Sequence, residues 1–150
     1  MYTDEYYMRI ALAEASQATQ LDEIPVGAVL VDDNNNIIAQ AANQTRHNQN
    51  PLGHAEKIVI EQALADGKKF LYNYTLYVTL EPCIMCSGLI VLSRIGKVVY
   101  GCKDPKAGGA GSLYHILKDK RLNHNPQVTA GVLEAECSQI LKDYFNSKRK

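Results

Sequence analysis

Leu76-Tyr77-Val78-Thr79-Leu80-Glu81-Pro82-Cys83-Ile84-Met85-Cys86 is the stretch on which the reading of the fold turns. Its first five residues have the aliphatic, aromatic and β-branched character of a central strand, and Glu81-Pro82 ends that strand where proline can open a helix. Cys83 and Cys86 then fall in the first turn of a helix that Leu89, Ile90 and Leu92 are expected to bury. Another short apolar run, residues 97–100, follows at once. Strand, helix and strand in such close succession predict parallel pairing around a right-handed crossover.

Working outward toward the N-terminus, residues 55–66 predict a helix with Ile58, Val59, Ala63 and Leu64 inward and Gly67 as its stop. The polar segment 43–53, with its Asn and Gln residues and Pro51, reads as a loop leading to His54. Residues 26–31 form an apolar run short enough for a strand buried on both faces, the polar cluster 32–36 turns the chain, and 37–42 returns as its hairpin partner. Thr3 is placed to cap a first helix, with Asp4 and Glu5 against its dipole and Met8, Ala11, Leu12, Ala15 and Ala18 at helical spacing. Toward the C-terminus the glycine-rich segment 101–112 is a loop, 113–117 a short helix and 128–130 a strand. A closing helix over 133–146 aligns Leu133, Cys137, Ile140, Leu141 and Tyr144 on one face. This order of elements implies an α/β protein, one sheet with helices on both sides.

The chain of 150 residues, 46% hydrophobic and 21% charged, has the size and composition of a single domain spanning residues 1–150. Its acidic N-terminus is not followed by a long apolar run, which supports neither a signal peptide nor a membrane span, so a cytoplasmic protein without membrane association is expected. In that compartment four cysteines stay reduced, and metal binding outranks cross-linking. The net charge of zero conceals a split: residues 1–81 carry 5 Lys and Arg against 11 Asp and Glu, and residues 82–150 carry 11 against 5. Such asymmetry hints at a polyanion facing the C-terminal half, provided the fold does not interleave the two halves.

His54-Ala55-Glu56 and Pro82-Cys83-Ile84-Met85-Cys86 together supply an imidazole, two thiols and a carboxylate. Three protein ligands, His54, Cys83 and Cys86, leave a fourth position on zinc for water, which is a catalytic arrangement. Helix N-termini carry partial positive charge and help keep the two thiols as thiolates. Zinc lowers the pKa of its water toward ~7, so hydroxide is available at neutral pH. Glu56 stands too close to His54 in sequence to be a further ligand, yet near enough to take a proton from that water and deliver it to a leaving amine. A Lewis acid, a water and a proton shuttle make hydrolytic deamination chemically sensible. The competing reading is a structural zinc site with Cys102 or Cys137 as fourth ligand and Glu56 solvated. His-x-Glu joined to Pro-Cys-x-x-Cys favours catalysis, and Cys102 and Cys137 read as small buried hydrophobes.

On these residues the chain resembles the zinc-dependent cytidine deaminase superfamily and, within it, the bacterial tRNA-specific adenosine deaminases. The likeness extends through Pro25-Val26-Gly27-Ala28-Val29, Ser93-Arg94-Ile95-Gly96, Asp104-Pro105-Lys106, Asn123-His124 and Tyr144-Phe145 before a basic tail. It departs from the family at Asn50-Pro51-Leu52-Gly53, where Asp-Pro-Thr-Ala is usual, at Gln44-Thr45, where a basic pattern is commoner, and at Tyr144, where Phe is usual.

The resemblance implies a three-layer α/β/α cytidine-deaminase-like fold with a five-stranded mixed sheet, one Zn2+ per subunit and a homodimer. It implies a hydrolase that deaminates the wobble adenosine of a tRNA to inosine. His54, Cys83 and Cys86 map onto the zinc ligands and Glu56 onto the proton shuttle. Asn43 maps onto a hydrogen bond to the flipped nucleotide, Ala55 and Pro82 onto the neighbourhood of the base, and Asp104 and Lys106 onto anticodon-loop contacts. Tyr144 and Phe145 map onto packing against flanking nucleotides. The implied partner is the anticodon arm of a tRNA, an arginine tRNA. Lys103, Lys106, Lys148, Arg149 and Lys150 are candidates for its phosphates, although Tyr144 also continues the stripe of the closing helix. The alternatives are a deaminase of a free base or nucleoside such as guanine, cytosine or cytidine, and a non-catalytic zinc module that binds RNA.

Overall fold

A computed structural model of the chain describes residues 2–149. Helix α1 (Asp4–Gln20) is followed by strands β1 (Gly27–Val31) and β2 (Ile37–Ala42), helix α2 (Ala55–Leu64), strand β3 (Thr75–Leu80), helix α3 (Ile84–Ser93), strand β4 (Lys97–Cys102), strand β5 (Gln127–Ala130) and helix α4 (Glu134–Lys148). The sheet runs in the order β2-β1-β3-β4-β5. β1 pairs antiparallel with both β2 and β3, whereas β3, β4 and β5 are parallel. The expected mixed five-stranded α/β architecture is therefore present, and the strand-helix-strand stretch β3-α3-β4 supplies its parallel centre.

Alternation along the strands explains the layers. Ala28, Leu30, Leu76, Val78 and Val98 pack with α2 and α3, and Val29, Val31, Tyr77 and Val99 pack with α1 and α4. Every residue of β1 is buried, as its unbroken apolar run requires. Fully burying a side chain of this size contributes ~1.5–3 kcal/mol, so the central strands anchor both layers. Thr3 caps α1 by accepting the Tyr6 N–H at 3.1 Å.

α1 approaches β1 closely because Gly27 lacks a side chain. A Cβ there would lie 1.9 Å from the Ala11 carbonyl oxygen and 2.8 Å from the Ala15 nitrogen, both backbone atoms of a helix that cannot yield locally. Gly27→Ala is thus expected to destabilise the chain by about 3 kcal/mol, a change that urea unfolding would register.

Three expectations shift. α2 ends at Leu64 rather than 66, and its inward face also takes in Ile60. Leu92, expected inward, is 70% exposed and accompanies the exposed Ile84 on the outer face of α3. That helix is apolar almost all round, so periodicity could not separate its two faces. The helix expected over 113–117 is reduced to a 3-10 turn, Ile116–Lys118, because the Gly108 and Gly109 carbonyls accept the N–H groups of Leu113, Tyr114 and Ile116 and hold the preceding segment out of helical geometry. Among the described residues no helix is long and apolar enough to cross a membrane.

Candidate metal centre

Two helix N-termini meet at the C-terminal end of β3. His54 occupies the N-cap of α2 in extended geometry and makes no side-chain cap bond. The cap comes from elsewhere: Asn43 Oδ1 accepts the Ala55 N–H at 2.9 Å, so the imidazole is left for other work. At α3 the N-cap is Cys83, whose Sγ accepts the Cys86 N–H at 3.5 Å. Cys86 is fully buried one turn inside.

His54 Nδ1 lies 3.5 Å from the Sγ of Cys83 and 3.5 Å from that of Cys86. Zinc bonds of ~2.3 Å to sulfur and ~2.0–2.1 Å to nitrogen at a tetrahedral angle put those atoms about 3.6 Å apart. The three donor atoms all lie within 4.8 Å of one another, and they are the only His, Cys, Asp or Glu group among the described residues that could hold a metal ion. Two soft thiolates and an imidazole suit zinc, and with no fourth protein ligand alongside, the structural-site reading loses its support. Cys102, at the end of β4, and Cys137, on the inner face of α4, are buried in the core, and burial pushes their thiols up to about 11 and about 12.

The electrostatics follow from the close approach of these groups. Hydrogen bonding from Cys86, helped by His54, draws the Cys83 thiol down to about 4, while its bond to Cys83 and burial push Cys86 up. The hydrogen bond to Cys83 also raises His54. Glu56 is 4% exposed, and burial pushes its carboxyl up to about 7 against the lowering effects of a backbone N–H and of His54. A carboxyl near neutrality can both accept and return a proton.

The remaining site residues fall into two groups. Asn43, Ala55, Pro82 and the 104–112 loop adjoin the centre: Gly109 donates to the Pro82 carbonyl at 2.8 Å, and Cys83 bridges to Gly108. Ala55 and Pro82 are buried, so they form floor rather than rim. Asp104 Oδ1 accepts the N–H groups of Lys106 and Ala107, and the Lys106 side chain is exposed. The aromatic pair lies on α4, and its two members differ. Tyr144 is buried with its hydroxyl donating to Asp22, in line with its place on the apolar stripe of the closing helix; Phe145 is 43% exposed and meets it edge-on. Asp22 also pairs with Lys148 and, at 2.8 Å, with Arg46, linking the end of α4 to the loop that leads to His54. Lys103 and Arg149 are exposed, and Lys150 lies outside the described residues.

Two residues escaped the sequence reading. Glu23, 1% exposed, accepts the N–H groups of Arg46 at 3.1 Å and His47 at 2.5 Å, together with the Thr45 hydroxyl. Glu81, also 1% exposed, accepts from Asp104, Ala110 and Ser112. Burial works to raise its carboxyl, but the hydrogen bonds from Ser112, Asp104 and Ala110 prevail and hold it below the usual range. Each carboxylate thus holds one of the two loops beside the centre. The sequence signal was indirect: a run with Gly108, Gly109 and Gly111 has few side chains with which to order itself.

Residues 1–102 match the family model for the cytidine and deoxycytidylate deaminase zinc-binding region. A tRNA-specific adenosine deaminase of Bacillus subtilis (strain 168) is 48% identical over 151 residues, covering all of this chain and 93% of the relative. One of Haemophilus influenzae is 49% identical over 152 residues, covering 98% of this chain and 86% of the relative. A solved structure from work on A-to-I editing by tRNA A34 deaminases at the wobble position superposes with a TM-score of 0.85 at 42% identity, over 90% of this chain and 98% of that one. A guanine deaminase from Nitrosomonas europaea reaches a TM-score of 0.84 at 19% identity, over 96% of this chain and 85% of that one, a likeness of fold alone.

Proposed function

The chain belongs to the cytidine and deoxycytidylate deaminase zinc-binding family, and from that premise we infer that it deaminates the wobble adenosine of tRNA to inosine by hydrolysis, with zinc as cofactor. The observation that carries the choice of substrate is the near-full-length identity, 48% and 49%, to tRNA-specific adenosine deaminases. The geometry supports the chemistry. His54, Cys83 and Cys86 would hold the ion, which when bound would lower the pKa of a water and so supply the nucleophile. Glu56, buried beside those ligands, takes the proton of the attacking water and passes protons to the purine ring and to the departing ammonia. Exclusion of bulk water from Glu56 keeps that proton within the site. Asn43 has its carbonyl oxygen committed to Ala55 and so offers its amide N–H groups to the flipped nucleotide.

A wobble base in an anticodon loop is already partly unstacked, so drawing it into such a pocket costs little. Lys106, Lys103 and Arg149 are exposed and suit phosphate, Asp104 shapes the turn that presents Lys106, and Phe145 offers a free ring face to a neighbouring base, with Tyr144 supporting it from below. On this reading residues 1–150 form one deaminase domain acting in the cytoplasm on an arginine tRNA. It acts as a homodimer with one zinc per subunit, and the outer face of α3, where Ile84 is 55% and Leu92 70% exposed, supplies apolar surface for the partner.

Kinetics on an arginine anticodon stem-loop beside free adenine, guanine, cytosine and cytidine test the reading. Turnover confined to the stem-loop is expected; turnover of a free base or nucleoside alone would replace it with the other deaminase class. In the same assay Phe145→Ala is expected to raise KM for the stem-loop ~10-fold or more, since base stacking on an aromatic side chain contributes ~1–3 kcal/mol. Its exposure leaves the fold intact, which circular dichroism would verify.

A further inference from the structure

We propose that Glu81 is a positioning residue for substrate: its buried carboxylate templates the 104–112 loop, so that Asp104 and Lys106 stand ready for the anticodon loop before RNA arrives. What the loop touches rests on the tRNA reading above; how the loop is held rests on geometry alone.

Residues 107–111 are Ala-Gly-Gly-Ala-Gly, which offer almost no side chain for packing and the largest conformational freedom to be lost on ordering. Order comes from Glu81. One oxygen accepts the Asp104 N–H at 3.0 Å and the Ser112 hydroxyl; the other accepts the N–H groups of Ala110 at 3.1 Å and Ser112 at 3.0 Å. Both ends and the middle of the loop therefore converge on one anion. At Gly108 the backbone passes so near that a Cβ would lie 2.3 Å from the carboxylate, and at Gly109 a Cβ would meet the Cys83 backbone at 3.0 Å. These glycines let the loop wrap the carboxylate on one side and the metal-bearing turn on the other.

The chain of contacts runs on to the surface. With its N–H fixed by Glu81, Asp104 turns its own carboxylate onto the N–H groups of Lys106 and Ala107, which sets the direction in which Lys106 leaves the loop. Four donors occupy the acceptor capacity of Glu81, and its burial keeps substrate away, so it acts through the loop and takes no part in proton transfer.

Glu81→Gln is the decisive variant. Its amide retains the shape but turns an NH2 group toward N–H donors, so the loop loses its template. The expected result is full zinc content, a KM for the stem-loop raised at least ~10-fold and a kcat within ~3-fold of the parent, the pattern of lost substrate binding without lost chemistry. Hydrogen exchange at the amides of Asp104, Ala110 and Ser112 should quicken in the same variant. Unchanged KM, or amide protection equal to that of the parent, overturns the proposal. If Glu81→Gln does not fold, Ser112→Ala carries the test, because it removes one bond and leaves the carboxylate in place: a KM raised ~3-fold at constant kcat and zinc content supports the role, and an unaltered KM refutes it. Absence of stem-loop turnover in the parent protein would defeat the tRNA reading instead, and the exchange rates would still decide whether Glu81 holds the loop.

Discussion

Glu56→Ala is expected to lower deamination ~10²–10⁴-fold while the protein keeps its zinc and its fold. The reasoning is spatial. Glu56 follows two residues after the ligand His54, sits on the inner face of the first turn of α2 and is 4% exposed, so it flanks the metal ligands without joining them. Removing the carboxyl takes away a buried acid beside the donor set and leaves all three donors, His54, Cys83 and Cys86, in place. Nor is folding at risk, since burying a carboxyl costs free energy that a methyl group there does not. Metal analysis and single-turnover rates on the same sample check both halves of the expectation. Loss of zinc along with activity would mean that Glu56 holds the metal, contrary to the geometry described above.

Cys86→Ala should act in the opposite way, abolishing turnover by emptying the site. Cys86 is fully buried, its Sγ stands at 3.5 Å from His54 Nδ1, and only two donors, His54 and Cys83, would remain. Loss of a residue that merely orients a ligand weakens metal binding ~10–100-fold, and loss of a ligand itself should exceed that range. Zinc content is then expected to fall from one per chain to a small fraction, with activity falling in proportion. Cys102→Ala provides the contrast. Its thiol lies 3.6 Å from the Thr79 carbonyl in the core, remote from the three donors, so zinc and turnover should both survive. Equal zinc loss in the two variants would contradict the three-ligand assignment.

The sequence made some of this plain and hid the rest for identifiable reasons. β1 and β3 were legible because a strand buried on both faces has to be apolar throughout, and the ligands because His-x-Glu and Pro-Cys-x-x-Cys leave few other chemistries. The exposure of Leu92 was not legible: in a helix as apolar as α3 the sequence carries no contrast between inside and outside. Tyr144 and Phe145 are adjacent, and only the packing of α4 shows that the first is tied to Asp22 while the second faces solvent. Glu23 and Glu81 were hidden most deeply. Their partners are mostly backbone N–H groups 23 to 31 residues away, and a backbone donor leaves no mark on the sequence. Charged residues that look like strand or helix punctuation turn out to be the supports of both loops around the metal centre.

Inosine mapping on a full-length arginine tRNA with adenosine at the wobble position bears most directly on the function inferred for this site. After incubation with the zinc-loaded protein, reverse transcription should read guanosine at the wobble position and adenosine at every other adenosine of the molecule. An unchanged wobble adenosine, or inosine scattered along the tRNA, would contradict it.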